Sequence, residues 1–359
     1  MRWSYTIARI GGTEVKVHVT FLLLLGWIAY DGWVSAGPAA ALAYTLFFVV
    51  FFFCIVLHEF GHITMARRFG VRTPDVILLP IGGVARLERI PDDPRQELLV
   101  ALAGPAVTVA IILVLFLAAL ATGQSLAYGD PLGEHVPFLV RLLVVNVMVL
   151  VFNLIPAFPL DGGRVLRALL ARRLGLARAT RIAGAIGQSL ALVLGVYGFM
   201  QSQPLMMLVA FFIFLGAGSE ASAVATRLAG QGLNVSNMMV TEFRTIPVHA
   251  SLQQAVDLLL SGEQREFPVV DNLGRTEGML TRDNLIRGLS RLGPEGTVAE
   301  AMTAAAPTVP PTLGFQEALD RLRASGLPAL PVVDARGALV GLLTMDNITD
   351  LLLVRGASR

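Results

Sequence analysis

Residues 47–62 read FFVVFFFCIVLHEFGH, an apolar run that closes on two imidazoles and a carboxylate. The run extends on both sides, from about residue 40 to 68, and so exceeds the roughly 17–25 residues that carry a helix across a bilayer. On a helix, positions i and i+4 share a face, so His58 and His62 can reach one metal ion. Glu59 stands one residue on from the first imidazole, placed to deprotonate a metal-bound water, which zinc acidifies to a pKa of about 7. Ionisable side chains inside a membrane span are costly and mark function. The stretch therefore predicts both a membrane helix and a hydrolytic metal site.

Outward from this helix, the chain keeps the same character as far as about Arg227. Of its 359 residues 55% are hydrophobic and 15% charged, against about 25% charged in soluble proteins. Six spans are predicted, at about 19–36, 40–68, 98–122, 137–156, 182–200 and 204–226, followed by a soluble part with charges spread evenly between short apolar runs. The fold class is thus multi-domain: a polytopic α-helical membrane domain over 1–228, then an α/β tail over 233–292 and 296–354.

The net charge of +2 does not signal nucleic acid, because the Arg residues cluster at span ends. Arg2, Arg9 and Lys16 precede the first span. Arg67, Arg68, Arg72, Arg86, Arg89 and Arg95 lie between the second and third, and Arg164, Arg167, Arg172, Arg173, Arg178 and Arg181 between the fourth and fifth. The alternate connections carry no Lys or Arg. The positive-inside rule then predicts a multi-pass protein of the cell membrane with both termini and the tail in the cytoplasm. The single Cys54 excludes an internal disulfide and a cysteine metal cage and reads as a buried thiol. Val34-Ser35-Ala36 follows an apolar run, but the polar, strand-like stretch before that run argues against a cleavable leader.

Two segments read as extended. Ile7, Val15, Val17 and Val19 alternate around Gly11-Gly12, a hairpin signal. Val76 to Leu87 carries Pro80 and Gly82-Gly83, which weaken a helix. Together they predict a small sheet on the cytoplasmic side.

A catalytic zinc takes three protein ligands and leaves one position open. His135, Asp130, Glu134 and Asp31 belong to the outer side, and His18 to the amino-terminal extended segment. Asp161 is the best candidate. It closes the stretch Asn153-Leu154-Ile155-Pro156-Ala157-Phe158-Pro159-Leu160-Asp161-Gly162-Gly163 at the cytoplasmic end of the fourth span, at the same depth as His58–His62. The prolines end the helix and the glycines permit close backbone approach, which can turn the carboxylate inward.

With both motifs in hand, the chain resembles the site-2 proteases, intramembrane zinc metalloproteases that pair His-Glu-x-x-His with a later Asn-x-x-Pro-x-x-Pro-x-Asp-Gly. The resemblance spans about residues 5–226. It implies zinc held by His58, His62 and Asp161, Glu59 as the base, and Asn153 holding the substrate backbone or the developing oxyanion. It also implies regulated cleavage of membrane-spanning protein substrates near the cytoplasmic face, inside the lipid bilayer. No segment is large enough for an inserted PDZ domain, so the match is to the six-span branch that includes sporulation-type processors. A substrate helix hides its carbonyls in its own hydrogen bonds and must unwind before attack. Strand addition to the extended segment at 76–87 is one way to hold it.

The tail repeats itself. Pro268-Val269-Val270-Asp271 returns as Pro331-Val332-Val333-Asp334, an offset of 63 residues (268 to 331). The same offset relates Met239 to Met302, Gly278 to Gly341, Thr281 to Thr344 and Asn284 to Asn347. Each unit reads as strand, helix, two strands, helix. This resembles a pair of cystathionine-β-synthase (CBS) domains, which implies ATP or another adenine nucleotide in the clefts and a homodimer through the module. Thr281 and Thr344 would meet phosphate. Asn284 and Asn347 stand where the family has a ribose-binding Asp, so nucleotide binding and a purely structural role are both open. Two alternatives to the protease are a CBS-gated transporter and a catalytically inactive scaffold. A transporter would not need an ordered hydrolytic set, and the presence of Glu59 argues against an inactive scaffold.

Overall fold

A computed structural model describes residues 3–80, 82–86, 93–126 and 136–357. The outer-loop residues Asp130, Glu134 and His135, with Arg89, lie outside these. Contacts divide the chain into two compact units, Met1–Val224 and Ala225–Arg359.

The first unit opens with β1 (Ser4–Ile10) and β2 (Thr13–His18), joined by Gly11 and Gly12 at φ +54° and +88°. Two consecutive left-handed residues make the tight turn whose twist suits a hairpin. Helices α1 (Val19–Ala36) and α2 (Pro38–Arg68) follow, then β3 (Asp75–Leu79) and β4 (Gly82–Arg86). The sheet order is β1-β2-β3-β4, with β2 and β3 parallel and the other pairs antiparallel. Parallel neighbours require a crossover, and here α1 and α2 supply it. The extended segment expected at 76–87 is therefore a hairpin, with β3 inside the sheet and β4 at its edge. Residues 81 and 87 lie outside the described ones.

The rest of the unit is α3 (Pro94–Ala121), α4 (Phe138–Asn153), α5 (Asp161–Leu174), α6 (Leu176–Met200) and α7 (Pro204–Ala229). Among the described residues five helices, α1, α2, α3, α6 and α7, are long and apolar enough to cross a membrane. The fourth expected span is shorter than the 137–156 predicted. It is a 16-residue apolar helix, about 24 Å long, because the chain leaves helical geometry before Pro156. The protein is a multi-pass membrane protein.

One face of the sheet carries a ladder of alternating charge. Arg9 pairs with Glu14, Lys16 lies 2.9 Å from Glu14 and 2.8 Å from Asp75, and Arg86 pairs with Asp75. The other face sends Val17 and Leu78 into a cluster with Phe21, Phe52 and Val56 of the helices. Asp75, on the third strand, is thus tied to both neighbouring strands while almost fully buried.

The second unit builds both repeats. The first comprises β5 (Ile246–Pro247), α8 (Leu252–Leu260), β6 (Glu266–Val270), β7 (Thr276–Thr281) and α9 (Arg282–Leu292). The second comprises α10 (Val298–Ala301), β8 (Thr303–Ala304), α11 (Phe315–Ser325), β9 (Ala329–Val333), β10 (Leu339–Thr344) and α12 (Met345–Ala357). The repeats exchange their opening segments. Thr303 of the second pairs with Met279 of the first, and Val240 of the first pairs with Leu342 of the second. A side chain at Gly278 or Gly341 would strike the arriving Met302 or Met239, which sets a need for glycine at both. Each repeat has its own core, one around Leu252, Phe267 and Leu280, the other around Phe315, Leu330 and Leu343.

The Arg86 guanidinium, then Lys16, holds the Asp75 carboxyl down at about 2. A carboxylate depressed in the fold stabilises it above the unfolded pKa of about 4 and loses that contribution as pH falls through the folded value. Hydrogen-exchange protection of the β2 and β4 amides should therefore fall between pH 4 and about 2. In Asp75→Asn it should be about tenfold lower at pH 7, the difference from the parent closing at the acid end.

Candidate metal centre

The second motif is a loop clamped before a helix. Residues 154–160 leave α4, and α5 begins at Asp161. A Cβ on Gly163 would come within 2.5 Å of the Phe158 amide nitrogen, and one on Gly162 would strike the carbonyls of Leu154 and Ile155. The two glycines thus let the first turn of α5 fold back onto its own loop. Phe158 is fully buried against Ala183 and Ala217. A side chain at Gly216 would meet Pro159, so α6 and α7 form the cradle. Asp161 sits in the first turn of α5, where the helix dipole favours a carboxylate.

The loop delivers Asp161 to the two histidines of α2. His58 Nε2, His62 Nε2 and Asp161 Oδ2 stand 3.1 Å from one another on every side. Both imidazoles are buried, and Asp161 nearly so. Among the described residues, these three form the group of His, Cys, Asp and Glu side chains arranged to hold a metal.

The tautomers follow from the remaining ring nitrogens. His62 Nδ1 lies 2.7 Å from the Val100 carbonyl, which can only accept, so Nδ1 carries the hydrogen. His58 Nδ1 lies 2.8 Å from Thr108 Oγ1, whose own hydrogen is directed to the Gly104 carbonyl. With its hydrogen on Nδ1, each ring turns Nε2 toward Asp161 as the atom that can bind an ion, and such outer partners are what orient metal-bound histidines. Tetrahedral zinc bonds of 2.0–2.1 Å set ligand atoms about 3.3 Å apart, close to the triangle seen here. The donor set fits a divalent ion such as zinc.

Helix α3 backs the histidines closely. A Cβ at Gly104 would collide with both imidazoles, and one at Gly61 would come within 2.6 Å of the Ala103 carbonyl. Glu59 lies under β4, where a Cβ on Gly83 would stand 2.9 Å from its Cγ. A cavity of about 530 Å³ runs to this point. His58, Glu59 and Asn153 line it together with Gly82 and Gly83 of β4, and Phe48, Phe51, Met148 and Phe152 make its apolar wall.

Sequence reasoning missed the supports of this centre. Gly104 and Thr108 read as ordinary span residues, although a glycine beside Pro105 within a helix is a signal of close packing. Arg167 reads as one of the span-end arginines between the fourth and fifth spans, yet it is fully buried. Its Nε lies 2.6 Å from Glu97 of α3 and its Nη1 3.5 Å from Glu220 of α7, and its guanidinium stacks 4.9 Å over the Phe158 ring. The pair ties the helix bearing Asp161 to the helix that backs the histidines. Removing one partner of such a buried pair costs about 3–5 kcal/mol, because it strands the other charge.

The four tail residues fall into two clefts. Thr281 and Asn284 line one of about 390 Å³ with Arg265, Arg282 and Arg287. Thr344 and Asn347 line the other, about 1140 Å³, with Asp346 and Asp350. Burial, then Asp346 and Asp283, raises the carboxyl of the half-buried Glu266 above its ordinary range. All four side chains already have partners in the fold. Each threonine Oγ1 accepts from the asparagine amide three residues on, 3.1 Å in both repeats. Asn284 Nδ2 donates to Thr303 Oγ1 at 2.9 Å, and Asn347 Nδ2 to the Met238 carbonyl at 2.6 Å. Both asparagines thus fasten segments that enter from the other repeat, a task the sequence alone did not indicate.

Comparison with known proteins agrees with this organisation. The model of peptidase family M50 matches residues 46–131 and 128–194, and that of the CBS domain matches 235–291 and 298–354. A zinc metalloprotease of Methanocaldococcus jannaschii is 32% identical over 84% of this chain and 83% of its own length. Rip3 of Mycobacterium tuberculosis is 28% identical over 98% of this chain and 93% of its own. The solved site-2 protease from Methanocaldococcus jannaschii is 36% identical, covers 61% of this chain and 95% of its own, and superposes with a TM-score of 0.47. The chain accordingly belongs to peptidase family M50, as a zinc metalloprotease of the site-2 type that carries a tandem pair of CBS domains.

Proposed function

We propose that this metalloprotease cleaves transmembrane segments of membrane-bound proteins near the cytoplasmic face, with His58, His62 and Asp161 holding zinc and Glu59 as general base. The observation that carries the reading is the shared cavity. Its apolar wall suits a membrane helix, and Glu59 lines it together with His58, one of the three converging donors. Zinc, when bound, supplies the Lewis acid that polarises a scissile carbonyl and acidifies water.

The remaining steps belong to the chain. An unwound substrate segment pairs with the outer edge of β4, recovering the backbone hydrogen bonds it gave up. Asn153, which lines the same cavity, holds the substrate backbone. Glu59 takes the proton of the attacking water and returns it to the departing amide nitrogen, a transfer worth about 10²–10⁴ in rate. The charge pattern of the spans supports the cytoplasm as the side from which water enters, which puts both termini and the tail there.

For the tail, the Arg-lined cleft at Thr281 and Asn284 supports adenine nucleotide binding as a regulatory input. The two asparagines would serve it through the positions they fix rather than through free amides.

One preparation tests the reading: protein purified in detergent, assayed for zinc and for cleavage of single-span peptides with and without ATP. One zinc per chain is expected in the parent. Glu59→Gln should keep that zinc and lose about 10²–10⁴ in cleavage rate. Asp161→Ala should release zinc to a chelator that the parent resists, and equal retention would remove Asp161 from the ligand set. ATP should change the parent's rate and leave its zinc content unaltered, while light scattering on the same samples reports whether the tail pairs two chains. Absence of zinc, with no chelator effect on cleavage, would overturn the protease site.

A further inference from the structure

The apolar side of β1 is not covered by the described residues. Directly paired residues of adjacent strands point to one side of a sheet, and the register places Tyr5 beside Val17, Ala8 beside Val15 and Ile10 beside Thr13. Val15, Val17 and Thr13 are buried on the side that packs against the helices. Tyr5 and Ile10 look the same way, yet they are 63% and 51% exposed. Trp3, two residues before Tyr5, is 66% exposed, and its carbonyl accepts from the amide of Val19, the first residue of α1. On the opposite side of the strand stand Ser4, Thr6 and Arg9, the last in the charge ladder with Glu14. The strand is therefore amphipathic, with its apolar side reaching past the helices that cover β2.

A second observation identifies the occupant. The chain has three tryptophans. Of the other two, Trp33 is exposed with Tyr30 toward the far end of α1 and Trp27 is exposed at its middle, and Leu22 and Leu23 are exposed in its first half. Helix α1 has 18 residues, about 27 Å of rise, close to the roughly 30 Å hydrocarbon thickness of a bilayer. Aromatic groups with polar edges collect at both membrane–water interfaces. Trp3 and Tyr5 at one end, and Tyr30 and Trp33 toward the other, stand about one bilayer apart along α1, with Trp27 at its middle, and the chain passes from β2 straight into α1 at Val19.

We propose that β1 rests on the bilayer surface, with Trp3, Tyr5 and Ile10 set among the lipid headgroups and upper acyl chains and the charge ladder turned to water. The strand then acts as a float for the whole sheet. Because β4 belongs to that sheet, the depth of β1 fixes the height of the edge beside Glu59. The inference stands on the sheet and α1 alone and does not depend on the cleavage reaction.

The test is the depth of Trp3 in the full chain. A Trp27→Phe, Trp33→Phe variant, reconstituted into phosphatidylcholine vesicles, leaves Trp3 as the only indole. Lipids brominated near the carboxyl end of the acyl chain should quench its emission about twofold or more, as for groups 5–10 Å into the interface. Iodide present on both sides of the membrane should quench it weakly. Strong iodide quenching with no effect of brominated lipid would put β1 in water and overturn the proposal. Protection from both quenchers would mean that protein covers the strand, a second copy included, and would overturn it equally. A nitroxide at Tyr5→Cys in a Cys54→Ala background gives an independent reading. Its collision rate with oxygen should exceed that with a water-soluble nickel complex, and the reverse order would reject the lipid contact.

Discussion

Three electron-pair acceptors held 3.1 Å apart, with the ring hydrogens committed elsewhere, repel one another unless positive charge lies between them. In an interior of low dielectric that repulsion is large, and much of the membrane unit serves to hold the acceptors together despite it. Helix α2 spaces the histidines, α3 fixes their tautomers and presses against their rings through Gly104, and α5 presents the carboxylate. The Pro-Gly loop sets the angle of α5. The buried Glu97–Arg167 pair then locks α5 to α3, about one and two-thirds helical turns from Asp161. Preorganisation of this sort means that the ion arrives at a prepared triangle rather than assembling one.

The positions of the donors were legible because each rests on a local rule. The i, i+4 spacing puts His58 and His62 on one face whatever surrounds the helix, and the run from Asn153 to Gly163 ends one helix and starts another through proline and glycine chemistry alone. The supports were not legible, because they depend on which helices touch. Thr108 and Val100 matter only once α3 lies against α2, and nothing in their own neighbourhood announces it. Arg167 shows the same limit more sharply. Among the other arginines of residues 164–181 it fits a pattern of span-end charge, and only the packing of α5 on α3 turns it into a buried partner for Glu97. The sheet was read correctly as extended chain near Gly11-Gly12 and Pro80, but its β1-β2-β3-β4 order follows from the crossover through α1 and α2, which is a tertiary fact.

In the tail, the 63-residue offset exposed the duplication, and hydrophobic spacing gave the elements of each unit. The exchange of opening segments escaped notice, although Met239, Met302, Gly278 and Gly341 all kept the offset. A glycine that faces a methionine of the other repeat looks, in one dimension, like any loop glycine. The same contacts explain why asparagine serves at 284 and 347. An amide can donate to a hydroxyl or a carbonyl on an incoming strand, as both do here, whereas a carboxylate has no proton to give.

That exchange bears on how the tail is made. A ribosome releases the first repeat while the strand that completes its sheet, Thr303–Ala304, is still unsynthesised. At about 5–20 residues per second, the stretch from Thr281 to Ala304 takes roughly 1–5 seconds. During it β7 offers an open border to any passing chain, as does Val240 until Leu342 emerges. The two halves must therefore ripen together, and a nascent chain cut between them would leave neither as a finished domain.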